Sequence, residues 1–333
     1  MRPLIALLVL LTTGTAQAAL DTDSLPAGAV GVVGFDLATF RATQVGQAIE
    51  QLAGMKAKDL EASRKLSDKL GIDTKKDLHD LVIGVYPGPD GEVAEKNAAG
   101  VVLIHGRFQP ATIDAFGAKN GLPSKQVGRY QAWEAGLFIE RVTGEKAKDN
   151  VKDAYVVAHS ESLVIVASGE FLERALAAAD RPAKAAQLPA AVSAKFAAAR
   201  QGWLYLYADA RKMPNPKQEN GAEDIALVLG ENAADLQLAA DAGFASAEQA
   251  SVMRKQLKGL QAFAMIGLAN DDGKSPEEKA NLALLTELVQ KIRIGGADRQ
   301  VTLDLDFPAA KAVQAIAKVI EKSQNGAGAP AAK

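Results

Sequence analysis

Apolar residues along the chain follow two spacings, and each spacing predicts a different kind of element. Short apolar runs, and strict alternation of apolar with polar residues, indicate β-strands because successive side chains of a strand point to opposite faces. We predict strands over residues 29–36, 80–86, 99–106, 125–132, 137–142, 153–159, 162–167, 202–209, 234–242 and 299–307.

Apolar residues spaced three or four apart indicate helices with one buried face. We predict helices over residues 37–53, 58–70, 110–119, 169–179, 190–199, 224–229, 246–268, 276–291 and 308–322. Gly71 follows the second of these segments, where a glycine commonly ends a helix in the left-handed conformation.

The two longest helices are predicted to form an antiparallel hairpin. Ser275, Pro276 and Glu278 carry a strong start signal, with a hydroxyl at the N-cap and a carboxylate three residues later. Only a short polar segment, 270–274, separates this start from the preceding helix. One stripe of that preceding helix contains Ala250, Met253, Leu257, Leu260 and Ala264.

This order of elements predicts an α+β fold with mainly antiparallel sheets flanked by helices. Two halves of the chain share landmarks, among them an opening strand that ends in aspartate at Asp36 and at Asp209. The shared order favours two related modules, 19–183 and 184–322, followed by a disordered tail at 323–333. The alternative is that strand–turn–helix units recur by chance, as they do in any such fold.

Composition narrows the possible functions. The 333 residues include 38 basic and 40 acidic side chains, so the chain lacks the basic surplus of a nucleic-acid-binding protein. It contains no cysteine, which excludes disulfides, thiol chemistry, cysteine zinc sites and iron–sulfur clusters. We therefore predict stabilisation by core burial alone and no nucleic-acid partner.

The N-terminus has the three parts of a secretory signal peptide. Arg2 supplies a basic start, an apolar run follows over 4–11, and Ala16 and Ala18 form an A-x-A cleavage site. We predict cleavage between Ala18 and Ala19 and export to the periplasm or the medium. The alternative is a retained membrane anchor, although the apolar run is short for a span, and no later run reaches about 18 residues.

Several motifs are better explained by structure than by chemistry. Gly28, Gly31 and Gly34 lie in or beside a predicted strand and lack the spacing of a dinucleotide-binding loop, and no P-loop occurs. Ser168 is expected to cap a helix, and His159 to lie at the surface of a hairpin turn. The alternating aromatic residues of one strand predict a core or inter-module contact, or a stacking platform; they are Trp203, Tyr205 and Tyr207.

Four residues are candidate ligand-binding residues. His79 and Asp80 belong to the densest group of carboxylates and imidazoles in the chain, where Asp77, His79 or Asp80 would bind a metal together with a distant third ligand. His105 and Arg107 are two apart at the end of a strand, so we expect them on one face, where they would bind an anion. The alternative for His79 and Asp80 is a group of solvated charges beside a short turn capped by Asp73, and the alternative for His105 and Arg107 is a solvated edge. We assign no catalytic residue, metal ion or cofactor.

Three segments carry a resemblance to known proteins: 71–78, 106–108 and 162–169, the last followed by Leu172, Ala175 and Leu176. In these segments the chain resembles exported bacterial proteins of the domain-of-unknown-function type. The resemblance covers most of the chain after residue 18 as a pattern of elements. It implies an α+β periplasmic or secreted protein and carries over no catalytic residue.

The sequence favours a non-enzymatic binding or scaffolding protein of the cell envelope, with a protein or small-molecule partner. Abundant helix faces and sheets without converging polar motifs motivate this hypothesis. The alternative is a periplasmic hydrolase or metal-dependent enzyme that uses His79, Asp80, His105 or Arg107. A further hypothesis is that the helix hairpin over 246–291 docks a partner helix.

Overall fold

A computed structural model describes residues 22–53, 57–88, 99–146, 153–181, 196, 202–213, 221–232, 234–269 and 275–326. The predicted signal segment, the hairpin connection 270–274 and the predicted helix 190–199, apart from Phe196, lie outside these residues.

The described strands form one antiparallel sheet, in the order β11-β12-β10-β9-β8-β1-β2-β3-β7-β6-β5-β4. The strands are β1 Gly31–Asp36, β2 Leu78–Tyr86, β3 Ala99–Gly106, β4 Ser124–Val127, β5 Tyr130–Glu134, β6 Ala154–Ser160, β7 Leu163–Ser168, β8 Gly202–Asp209, β9 Asp224–Glu231, β10 Asp235–Gly243, β11 Arg293–Gly295 and β12 Gln300–Pro308.

Helices flank this sheet, so the predicted α+β class is confirmed. The described α-helices are α1 Leu37–Ala42, α2 Gln44–Ala53, α3 Ala57–Leu70, α4 Thr74–Asp77, α5 Pro110–Lys119, α6 Ala135–Thr143, α7 Leu172–Asp180, α8 Ala247–Ala269, α9 Pro276–Lys291 and α10 Ala309–Gly326. None of the described helices combines the length and hydropathy that crossing a bilayer requires.

The two predicted halves of the chain meet inside the sheet. Strands β1 and β8 pair antiparallel, with Gly31 opposite Ala208 and Phe35 opposite Leu204. Each of these strands ends in an aspartate that accepts a hydrogen bond from the backbone of the turn that follows it. One continuous sheet therefore joins both halves, and their relationship as modules stays a prediction.

Two hydrophobic clusters lie on opposite faces of the first seven strands. The first includes Val32, Val82, Leu103, Ile165 and Leu172, the last from α7. The second includes Phe35, Phe40, Leu70, Ile113 and Phe138, which bring in helices α1, α3, α5 and α6. A third cluster connects the halves, because Val45 of α2 packs with Leu305 and Phe307 of β12.

Helices α1 and α2 were predicted as one helix and are separated at Thr43. This residue is extended, and its hydroxyl accepts a hydrogen bond from Gly46 N at 2.9 Å. The next amides are capped from the other half of the chain: Glu231 accepts from Gln44 N at 2.6 Å and from Val45 N at 3.0 Å. A buried carboxylate at the end of β9 thus fixes where α2 begins.

Two predicted elements have the wrong type. Residues 137–142, predicted as a strand, belong to α6, because the Glu134 carboxylate caps the helix at Gly136 and Leu137 and Gly144 ends it with a φ of 75°. Residues 224–229, predicted as a helix, form most of β9, which pairs on both sides with β8 and β10. Pairing on both edges outweighs local preference for a helix.

Three smaller predictions also differ from the structure. The segment 125–132 is a hairpin of β4 and β5 rather than one strand, with Gly128 in the left-handed region at its turn. Ser168 does not cap α7, which begins after Phe171 without a side-chain cap. A bulge at Trp203 interrupts the β8 alternation, so Trp203 packs with Phe35 and Phe40 while Tyr207 lies in the other cluster.

Candidate functional site

Three polar side chains form a row across neighbouring strands at one end of β1, β2 and β3. Asp36 lies directly opposite Asp80, and Asp80 lies directly opposite His105. Directly opposed residues share a face of the sheet, so the three side chains are adjacent. Both aspartates are more than nine-tenths buried, and 15% of the His105 side chain is exposed. We call these residues the polar row.

Asp36 has a clear structural task within the polar row. Its Oδ1 accepts from Thr39 N at 2.8 Å, and its Oδ2 accepts from the Thr39 hydroxyl at 2.7 Å. These bonds cap α1 directly after β1. Burial raises the pKa of Asp36, the Thr39 hydrogen bonds oppose that rise, and the charge of Asp80 adds to it.

Asp80 and His105 form the closest charged contact of the row. His105 Nδ1 lies 2.5 Å from Asp80 Oδ1, which is a short hydrogen bond to a carboxyl oxygen. A bulge in the β2–β3 pairing, which leaves His79 as the extra residue, sets this register. The bulge therefore brings Asp80 opposite His105 and gives His79 no cross-strand partner in that pairing.

Arg41 of α1 is a further buried ion near the polar row. Its guanidinium donates to the Leu78 carbonyl at 2.8 Å and to the Thr74 carbonyl at 3.1 Å. Burial lowers the pKa of Arg41 to about 10, and nearby acidic groups, Asp36 among them, oppose that change. Arg41 thus ties α1 to the start of β2, and no local sequence signal identifies it.

Arg107 does not join His105 as the sequence predicts. Strand β3 ends at Gly106, so the alternation that would place the His105 and Arg107 side chains on one face does not reach Arg107. Its guanidinium instead lies 3.2 Å from Asp77 and donates to the Lys76 carbonyl at 2.8 Å. His105 contacts Asp80 and Arg107 contacts Asp77, so of the four candidates the structure brings together only Asp80 and His105.

A second polar cluster, which sequence reasoning missed, lies where β5, β6 and α7 meet. Asp180 Oδ1 accepts from the Tyr130 hydroxyl at 2.6 Å, from His159 Nε2 at 3.0 Å and from Arg129 at 3.0 Å. The Tyr130 hydrogen bond is the main reason that the pKa of Asp180 is lowered, and His159 and Arg129 lower it further.

This cluster corrects the prediction for His159, which was expected at the surface of a turn. Only 10% of its side chain is exposed, and its ring stacks on that of Tyr130 with centroids 4.9 Å apart. The partners come from positions 50 residues apart in the chain. A sequence pattern within one element contains no signal for such a contact.

The geometry of both clusters favours a structural role. The Asp36 carboxylate caps a helix, Asp80 pairs with His105, and three donors share one oxygen of Asp180. Within the described parts of the chain, no group of three or more histidine and acidic side chains is arranged to hold a metal ion. The contacts of these residues fix local structure.

The most exposed apolar surface of the described residues lies on α8. Leu260, Phe263 and Ile266 are 64%, 74% and 71% exposed, and Val252 on the same helix face is about half exposed. Their spacing places all four along one side of the helix. We call this set the α8 stripe. Contiguous exposed apolar side chains of this size are typical of interaction surfaces.

The opposite side of α8 fixes the helix to the rest of the fold. Met253 and Leu257 pack with Phe244 and Val301 near the start of the helix. Further along, the Gln261 amide donates to the carbonyls of Val289 and Ile292, both at 2.8 Å, at the end of α9. Leu260 was predicted on the packed stripe, but α8 at this point lies beside α9 and leaves Leu260 outside.

Comparisons with known proteins give a similarity of overall architecture only. No family model matches the chain, and no curated protein sequence matches it. Solved structures that match include crystal forms I, III and IV of TP0453, with 10–11% identity and TM-scores of 0.43–0.46. The matches cover 90–92% of this chain and 97–100% of theirs. Similarity at this level carries no functional information.

Proposed function

We propose that this chain is an exported cell-envelope protein that binds a macromolecular partner through the α8 stripe and does not turn over a substrate. The observation that carries the proposal is the exposure of Leu260, Phe263 and Ile266 on one face of a helix whose other face is fixed by packing. Burying such side chains is favourable by about 25 cal/mol for each Å² of apolar surface. We therefore expect a binding partner to cover this surface.

The position of the stripe supports a docking role. The Gln261 amide joins α8 to the end of α9, and Met253 and Leu257 pack on Phe244 and Val301, so α8 is held in place. A rigid helix with large side chains along one face presents the pattern that grooves and partner helices recognise. Export rests on the signal-like pattern of residues 1–18.

Photo-crosslinking in the cells that make the protein tests this proposal. A benzophenone side chain at position 263 is expected to form a covalent adduct with whatever covers the stripe. The matched control carries the same group at Leu137 of α6, which is also an exposed apolar residue on a helix. Absence of any adduct from position 263 at native protein levels would overturn the proposal.

The non-enzymatic part of the proposal has its own test. Turnover of a substrate by the purified protein, lost in both Asp80→Asn and His105→Ala while the fold persists, would contradict it. We expect neither substitution to remove an activity, because the two side chains are hydrogen-bonded to each other in the interior.

A further inference from the structure

We propose that the occupant of the α8 stripe is a second copy of this chain, which docks antiparallel with its own α8 across a two-fold axis at Phe263. This inference rests on the proposed binding function and specifies the partner. It is carried by the near-symmetric sequence around Phe263, by two glycines at which an added Cβ would meet no atom of the described residues, and by the distribution of charge along α8.

The residues on either side of Phe263 repeat in kind in both directions along α8. Ala262 and Ala264 flank the phenylalanine, Leu260 corresponds to Ile266, and Gly259 corresponds to Gly267. The pair that differs, Gln261 and Met265, lies on the side of α8 away from Phe263. An interface between identical chains across a two-fold axis requires that residue i contact residue j and that j contact i. An antiparallel helix pair centred on residue 263 meets this requirement, since Leu260 of each copy faces Ile266 of the other.

Gly259 and Gly267 are the second observation. Both lie inside α8 and are exposed, and a Cβ added at either would meet no atom within 4 Å. Glycine inside a helix costs about 1 kcal/mol relative to alanine, and nothing in the described chain requires it at these positions. Each lies four residues from Phe263, on the same side of the helix. Because these glycines have no side chains, they leave shallow depressions beside the Phe263 ring. The Phe263 ring of a second copy fits into them.

Charge along α8 favours the antiparallel direction. Residues 259–269 contain no ionisable side chain, whereas Lys255 and Lys258 precede them on exposed positions. A parallel pair would bring the lysines of the two copies together, and like charges repel. The antiparallel pair separates them to opposite ends and leaves the uncharged segment at the two-fold axis. One helix pair is a small interface, so we expect a dissociation constant in the range of about 1–100 µM.

Cysteine cross-linking with a short bismaleimide tests the geometry without background, because the chain contains no cysteine. Ala262→Cys leaves the stripe intact and lies on its flank, one residue from the axis. The two cysteines are about 3 Å apart along the helices and about 10 Å apart across the pair, a distance that a bismaleimide spans and a disulfide does not. Lys255→Cys is the matched control, exposed and one heptad earlier on the same flank. Its two copies are about 24 Å apart along an antiparallel pair and adjacent in a parallel pair.

We expect the bismaleimide to link the Ala262→Cys protein into a covalent dimer and to leave the Lys255→Cys protein monomeric. Sedimentation velocity of the cysteine-free protein should show a concentration-dependent dimer, and Phe263→Glu should raise its dissociation constant at least about tenfold. Circular dichroism and thermal unfolding of Phe263→Glu establish that the variant is folded.

Other results overturn the inference in distinguishable ways. Cross-linking of Lys255→Cys, alone or with Ala262→Cys, contradicts the antiparallel arrangement. A monomer in sedimentation at about 100 µM, with no cross-linking at either position, contradicts self-association. In that case, a photo-adduct from position 263 with a mass other than twice the chain leaves the proposed binding function standing with a different partner. Loss of every adduct removes both proposals.

Discussion

Asp36 and Asp80 face each other directly across β1 and β2, and both carboxylates are more than nine-tenths buried. Adjacent buried carboxylates repel when both are ionised, and burial penalises each charge. The fold supplies a different partner for each: Thr39 donates two hydrogen bonds to Asp36, and His105 pairs with Asp80. The relationship makes the stability of this end of the sheet dependent on pH.

We expect Asp36 to make the folded state less stable as pH rises. Because burial raises its pKa above the ordinary value of 3.8, the folded state retains the proton over a range in which the unfolded state has released it. Unfolding free energy therefore falls with pH from about 3.8 upward until Asp36 is ionised in the folded state as well. The Asp36→Asn variant keeps a side-chain acceptor at the N-cap of α1 but cannot ionise. This contribution to the pH dependence of the unfolding free energy should therefore be absent from it.

Urea unfolding at several values between about pH 4 and 7 measures that slope. Asp68→Asn is the control, because Asp68 is an exposed residue of α3 that lies 3.8 Å from Arg64. Equal pH slopes for the original chain and Asp36→Asn would show that the pKa of Asp36 is not raised.

The contact between Asp80 and His105 should be strongly coupled. His105→Ala leaves a buried carboxylate without this partner, and we expect a loss of about 2–4 kcal/mol in unfolding free energy. Asp80→Asn together with His105→Ala should cost less than the sum of the single changes, because the stranded charge is then absent. A double-mutant cycle by urea unfolding measures the coupling. Additive effects would mean that the 2.5 Å contact contributes no interaction energy.

Glu231 should stabilise the fold by capping a helix that belongs to the other half of the chain. Glu231→Ala removes the acceptor of Gln44 N and Val45 N, and we expect it to cost about 1–3 kcal/mol. Hydrogen exchange should show faster opening of the first turn of α2.

Glu161→Ala provides the comparison for Glu231→Ala, since Glu161 lies exposed in the β6–β7 turn. Its substitution should change the unfolding free energy by less than about 0.5 kcal/mol. Similar effects of the two substitutions would argue that the cap contributes nothing specific.

Two helix glycines should respond to alanine in opposite directions. At Gly117 of α5 a Cβ would lie 2.4–2.7 Å from atoms of the buried Trp133 ring, so Gly117→Ala should destabilise by about 1–3 kcal/mol despite the better helix propensity of alanine. At Gly259 of α8 a Cβ meets nothing within 4 Å, and Gly259→Ala should raise the stability of the monomer by up to about 1 kcal/mol. Thermal unfolding at low protein concentration compares the two.

Elements with local signals could be predicted from the sequence with correct bounds. Pro110 begins α5, and the Ser275 capping box begins α9. Alternation of apolar and polar residues predicts the bounds of β8, Gly202–Asp209, although a bulge at Trp203 changes which face of the sheet its side chains occupy. The prediction of a strand over residues 137–142 is wrong because a short apolar run fits a strand and a buried helix equally well. The cap at Glu134 decides between them, and its effect depends on the geometry of the chain around it.

The candidate site was only half predictable for the same reason. Asp80 and His105 were selected separately, but their contact depends on the register between β2 and β3, which a one-residue bulge sets. The sequence identifies Asp36 only as the last residue of a predicted strand. Its opposition to Asp80 and the grouping of Tyr130, His159 and Asp180 require strands that are distant in the chain to pair.

The sequence by itself determined the α+β class and most helix and strand positions, because the periodicity of apolar residues is a local property. The composition by itself excluded thiol chemistry and indicated no nucleic-acid partner. Only the tertiary structure decided that one sheet joins both halves, which carboxylates are buried against each other, and which side of α8 faces outward. These depend on pairing register and on the rotation of a helix against its neighbours, which are fixed by the free energy of the whole packed chain.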